Sequence, residues 1–154
     1  MKKIILTVLV AITAFSAVKA QDDMFKKLGN DKNISVVYIS KALLGLAGNM
    51  NLGGADVKGL VSKLTSLEIY SSENAAAIKL MKAEAEKLLK DGSQLETLMK
   101  AKDKDNIVSF VAKKGKDGKI SELLMISEEP DEFSIIRFLG SFTMEDVEKV
   151  TGGN

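Results

Sequence analysis

Apolar positions in this chain follow two periods, and the period of two dominates its C-terminal third. Three runs there read as strands: Ile107–Ala112, Ile120–Ser127 and Phe133–Leu139. Lys116-Asp117-Gly118-Lys119 separates the first two, and its Asp-Gly pair suits the positive φ of a tight hairpin. Glu128-Glu129-Pro130-Asp131-Glu132 separates the next two and holds the chain's one proline where no ladder N–H is needed. These runs predict a three-stranded antiparallel meander whose apolar face needs a cover.

The upstream pattern alternates between the two periods. Asp22 to Asn30 reads as a short helix or ordered arm, and Ile34–Ile39 as a short strand. From Ser40 to Met50 the spacing is helical. Ala42, Leu43, Leu46, Ala47 and Met50 form a stripe that Leu44 widens, which predicts a well-buried helix. Glycines mark a loop from Gly48 to Ala55. Asp56 is the expected cap of a second helix, Val57 to Leu64, and Leu67–Tyr70 reads as strand.

Ser72 is the expected cap of the longest helix, Glu73 to Lys90, with Ile78, Met81, Ala85, Leu88 and Leu89 inward and Asp91-Gly92 as its stop. Leu95–Ala101 reads as a fourth strand, ending in a charged turn. After the meander, Thr143 and Asp146 have capping-box spacing, with Phe142 and Val147 placed as a hydrophobic staple. The fold class expected is α+β: a mostly antiparallel sheet with a C-terminal three-strand meander, covered by helices. The helix before Leu95 leaves room for one crossover, so the strand order stays open.

The first twenty residues stand outside this pattern. Lys2 and Lys3, the apolar run Ile4 to Ala14, and Val18-Lys19-Ala20 have the layout of a secretory signal peptide cut after Ala20. The apolar run is shorter than the ~18–20 residues of a spanning helix. The expected division is therefore 1–20 signal peptide and 21–154 a single α+β domain, periplasmic or secreted, with no stable membrane anchor after cleavage. Losing Lys2, Lys3 and Lys19 takes 22 basic residues to 19 against 21 acidic, moving the formal net charge from +1 to −2. No nucleic-acid footprint is expected at that balance.

The chain has no cysteine and no histidine. Without cysteine the core must hold the fold, and Gln21 stands where a lipid-bearing Cys would be needed. Without histidine the commonest general base and metal ligand are missing.

The remaining candidates are sparse. Asp103-Lys104-Asp105-Asn106 opens like a calcium loop but lacks the central glycine and runs into strand, so a solvated turn is expected. Ser40-Lys41 and Ser71-Ser72-Glu73 offer hydroxyls at strand-to-helix junctions without a nucleophile motif. The glycines between Gly48 and Gly54 lack the Lys-Ser/Thr end of a phosphate loop.

Arg137 is the one arginine, on an otherwise apolar strand. It is expected to be exposed or ion-paired, with anchoring of an anionic ligand as its speculative binding role. That strand and Leu123–Ile126 are apolar on both sides. Either they are central and covered twice, or one face is a binding surface. No catalytic, cofactor-binding or metal-binding residue is expected.

Val37-Tyr38-Ile39-Ser40-Lys41, then Leu67-Glu68-Ile69-Tyr70-Ser71-Ser72-Glu73, then the long meander behind a secretory leader resemble the domain-of-unknown-function family 4252. The resemblance spans nearly all of residues 21–154. It implies a small exported protein of a Gram-negative envelope and an α+β domain, with no activity attached. Family members that are lipoproteins carry a lipobox cysteine, and this chain departs from them there. The functions expected are, first, a non-catalytic binding or accessory module with an unknown envelope protein or small ligand as partner. Second comes a carrier of a small apolar ligand, and last a carboxylate-based hydrolase.

Overall fold

A computed structural model describes residues 22–47, 57–90 and 94–151. Helix α1 (22–29) leads into β1 (Ser35–Ser40), α2 (Lys41–Ala47), α3 (Val57–Lys63), β2 (Leu64–Ser72) and α4 (Ala75–Lys90). Then follow β3 (Leu95–Asp103), β4 (Asn106–Lys114), β5 (Ile120–Glu128), β6 (Phe133–Phe142) and α5 (Met144–Thr151). The six strands form one sheet in the order β1-β2-β6-β5-β4-β3, with every neighbouring pair antiparallel. The α+β reading holds. The meander runs through four strands, because β3 joins it at the far edge.

Two of the turns between strands have local causes. Gly118 takes φ 76°, and the Asp117 Oδ1 accepts from the Lys119 N–H at 3.1 Å. Asp103–Asn106 closes a two-residue hairpin with Lys104 at φ 54°, so the calcium-like stretch is a turn. Helix α4 carries the chain from β2 to the far edge, past β6, β5 and β4.

Its cap is not Ser72. Asn74 Oδ1 accepts from the Ala76 and Ala77 N–H groups, both at 3.1 Å, which makes Asn74 the N-cap. Ser72 ends β2 instead, donating to the Asn33 carbonyl and accepting from the Asn74 N–H. The stop expected at Asp91-Gly92 and the cap expected at Asp56 lie outside the described residues.

Two cores form, one on each face of the sheet. On the first, Met24, Phe25 and Leu28 of α1 and Ala77, Met81, Ala85 and Leu88 of α4 pack on Tyr70, Val111, Leu124, Ile126, Phe133 and Ile135. On the second, Leu44 of α2, Leu60 of α3 and Val147 of α5 pack on Leu64, Ala112, Ile120, Leu123 and Phe142. The α2 stripe differs from expectation: Leu44 is buried, whereas Leu43 and Leu46 are 53% and 68% exposed, and Met50 lies outside the described residues. Leu89 of α4 is also exposed, and Ala77 takes an inward place.

Helix α5 starts as its spacing predicts. The Thr143 N–H donates to Asp146 Oδ2 at 2.8 Å, the Asp146 N–H returns to Thr143 Oγ1 at 3.3 Å, and Phe142 and Val147 share one core. Both Asp146 oxygens also accept from Lys63 Nζ at 2.7 Å, tying α5 to the end of α3. Where β2 leaves Lys63, β6 passes so close that a Cβ on Gly140 would lie 2.3 Å from the Lys63 carbonyl oxygen. Only a residue without a side chain fits there.

Candidate functional site

Arg137 lies on the first face, where the pleat directs it with Phe133 and Ile135 into the core, and it is 8% exposed. A buried guanidinium needs counter-charge, and three carboxylates supply it. Nε donates to Glu122 at 2.5 Å, Nη1 to Glu68 at 3.2 Å and Nη2 to Asp22 at 3.3 Å. Strand register explains two of them. Glu68 stands directly opposite Arg137 on β2, and Glu122 is one step diagonal on β5, because Leu124 is the residue opposite.

Phe25 of α1 closes the top, its ring centroid 4.3 Å from the guanidinium carbon and 5.1 Å from the Tyr70 ring. Tyr70 donates its hydroxyl to Glu68. Burial, then the hydrogen bond to Glu68 and its charge, push that phenol well above its usual range. Burial works against the Arg137 charge, but the hydrogen bond that Arg137 donates to Glu122 and the charges of Glu122 and Glu68 outweigh it and hold the pKa above the ordinary value.

Arg137 is therefore ion-paired rather than exposed. The donors that would grip an anionic ligand already serve Glu122, Glu68 and Asp22. Of these only Asp22 is open to solvent, at 67% side-chain exposure, so an incoming anion would have to replace it. The charge at inward strand positions was visible for Glu68 and Glu122, which share the parity of Tyr70 and of Leu124 and Ile126. Asp22 carries no such signal.

Depressions among the described residues include two of note. One, of about 140 Å³, lies between α4 and the sheet, with Ile107, Ile126, Phe133 and Leu89 as apolar lining and Lys82, Glu86, Lys100 and Glu128 as charged lining. The other, about 350 Å³ and open, is polar and lined by Asn33, Ser35, Ser71, Ser72, Glu73, Asn74 and Glu132. No cluster of three or more metal-ligating side chains stands among the described residues.

The second face holds the more distinctive feature. Following the register across all six strands gives a continuous apolar row: Val37, Ile69, Ile136, Met125, Phe110 and Met99. The row beside it reads Ser35, Ser71, Ser134, Ser127, Val108 and Ala101, four serines on four adjacent strands. Neither row contains a charge, and none of these residues is buried.

Helices α2, α3 and α5 cover the row on the other side of the apolar one, where Ile39, Leu67, Phe138, Leu123 and Ala112 join the second core. They stop short of the two open rows, where Phe110 alone reaches that core's margin. Five inter-strand steps of about 4.8 Å make this open half-face about 24 Å wide. Sequence reasoning saw apolar residues on both sides of β5 and β6. It did not see which row the helices would leave bare.

The described residues include no helix long and apolar enough to cross a membrane. Comparison with curated proteins and with solved structures returns no match. A family model matches residues 25–150, from Phe25 on the Arg137 site to the end of α5, and the chain thus belongs to the family described as Domain of unknown function (DUF4252).

Proposed function

We propose that this is an exported, non-catalytic binding module of the cell envelope, and that it engages a protein partner through the open half of its sheet. One observation carries the reading: two adjacent rows spanning six strands are uncharged and unburied, on a sheet whose other face is closed over its centre by α1 and α4. A lone exposed apolar side chain is ordinary, whereas a contiguous apolar row with a polar border is the usual form of a recognition surface. Export rests on the leader-like first twenty residues.

The alternative, a carrier of a small apolar ligand, would use the cleft beneath α4. Its volume of about 140 Å³ is small against the ~300–1,000 Å³ of most ligand sites. A carboxylate hydrolase would need two acids facing a shared cleft, and Glu68 and Glu122 instead face one guanidinium.

Native mass spectrometry of the protein drawn gently from its own envelope fraction tests the reading. A retained protein that is lost on Ile136→Lys supports it. A retained small molecule supports the carrier, and turnover of generic ester, peptide or glycoside substrates by the purified protein would overturn the non-catalytic assignment.

A further inference from the structure

The sheet has two edges, and they are built differently. Strand β3 carries Glu96, Lys100, Lys102 and Asp103, and its pairing with β4 is broken by an irregularity between Thr97 and Met99. Charges and bulges are the devices by which proteins keep an edge strand from pairing with another chain. Strand β1 has neither. It reads Ser-Val-Val-Tyr-Ile-Ser without a charge, glycine or proline, and its register with β2 is unbroken over six residues. Val36, Val37 and Tyr38 are 42%, 46% and 63% exposed. Among the described residues β1 pairs with β2 alone, and no turn or loop backbone group bonds to its outer side.

We infer that β1 is a pairing edge for a second copy of this chain, joined antiparallel about a two-fold axis normal to the sheet. The occupant follows from what the edge lacks. At a two-fold axis each residue near the centre meets itself or a close neighbour, so a charge would face its like. An edge with no charge on either side meets itself without that conflict.

The pleat then restricts the register. Opposed residues must lie on the same face, so odd positions pair with odd and even with even. An axis at Val37 sets Val37 against Val37 of the second copy, and Val36 against its Tyr38, a β-branched–aromatic pair of the kind that stabilises sheets. The same axis joins the apolar row ending at Val37 to its equivalent, making one row across both sheets. An axis at Tyr38 would bring the two rings together and break that row, so the geometry selects Val37.

The contact is small. Six residues make an edge of about 20 Å, too short and narrow to bury the ~800 Å² per partner of a standard stable complex. The dimer therefore belongs to the weak, concentration-dependent class.

Analytical ultracentrifugation of the protein as isolated from its cells, from about 1 µM to about 500 µM, spans the affinities of that class. The weight-average mass is expected to climb toward twice the monomer. Val37→Lys, at an exposed position, should return it to the monomer with the circular dichroism unchanged. Met99→Lys on the other edge should leave the dimer intact.

Because the chain has no cysteine, a single introduced thiol reports on itself alone. Val37→Cys should form a linked dimer under mild oxidation at least tenfold faster than Met99→Cys, and faster than Tyr38→Cys. A monomer across the whole range, species that grow beyond the dimer, or a dimer indifferent to Val37→Lys would overturn the pairing. Faster linkage at Tyr38→Cys would overturn the register. A monomer that still retains an envelope protein would overturn the pairing and leave the proposed binding function standing.

Discussion

The two faces of the sheet solve the problem of covering apolar strands in opposite ways. On the first face α1 and α4 close over the centre, so that even the arginine at the middle of β6 is buried and provided with three carboxylates. On the second, three short helices cluster over one end, and among the described residues no helix covers the half-buried other end. The closed face tolerates a buried charge because Arg137 is paired with Glu122, Glu68 and Asp22. The open face carries no charge in either unburied row, although water would accept charge there at little cost. A surface that could be polar and is not has a use for being apolar, and the closed face shows that the chain can place ion pairs where it needs them.

Breaking the closed face should have the largest effect. Arg137→Met leaves Glu122 and Glu68 without their partner in a buried site, which is expected to cost about 3–5 kcal/mol in chemical denaturation. Adding Glu122→Leu and Glu68→Gln should recover most of that loss, because replacing a whole buried ion group by apolar or neutral residues is near neutral. If the single and triple variants are equally unstable, the network is not what holds this face.

Next comes the seam behind the open face. Gly140→Ala drives a methyl into the Lys63 backbone, and an expected loss of about 1–3 kcal/mol should appear as a lower urea midpoint.

The α5 cap should follow, with a pH signature. The hydrogen bond from Lys63, then that from the Thr143 backbone, hold the Asp146 carboxyl down at about 2 against an ordinary 3.8. A depressed carboxyl adds stability above its unfolded pKa and loses it as the pH falls through the folded one. The wild type should therefore lose stability between about pH 4 and about pH 2 relative to Asp146→Asn, converging with it at the acid end. Asp146→Ala at neutral pH should cost about 1 kcal/mol, read by thermal melting.

The smallest effect on stability is expected where the effect on binding is greatest. Val37→Asp changes an exposed residue on the open face and should shift stability by no more than about 0.5 kcal/mol. It should nonetheless reduce partner retention at least tenfold in a pull-down at matched concentration.

The same contrast separates what could be read in the chain from what could not. The capping box at Thr143 and the Asp117-Gly118 hairpin involve residues a few positions apart, and both were legible. So was the inward stripe of Met81, Ala85 and Leu88. The cap of α4 was misread because Ser72 and Asn74 are both competent caps, and only the length of β2 decides between them.

The carboxylates of Arg137 lie 15, 69 and 115 positions away, and their meeting depends on a strand order that periodicity does not contain. Exposure of Leu43 and Leu46 was hidden for a related reason. A helix of seven residues offers few inward positions, and α2 gives Leu44 to the core. The open half-face is the extreme case: apolar residues on both sides of β5 and β6 fit either a doubly covered strand or a binding surface, and only the placement of α2, α3 and α5 decides which row stays unburied.

The central claim is that the open half-face is occupied in the envelope, and a single thiol can ask this directly. Met125 sits mid-row, and the chain contains no other thiol to compete. Met125→Cys should react with a maleimide much more slowly in intact envelopes than in the purified protein, while Met144→Cys, on an exposed position of α5 away from the rows, reacts alike in both. Protection at position 125 alone would place a partner on the open rows. Equal rates at both positions in both preparations would contradict the account.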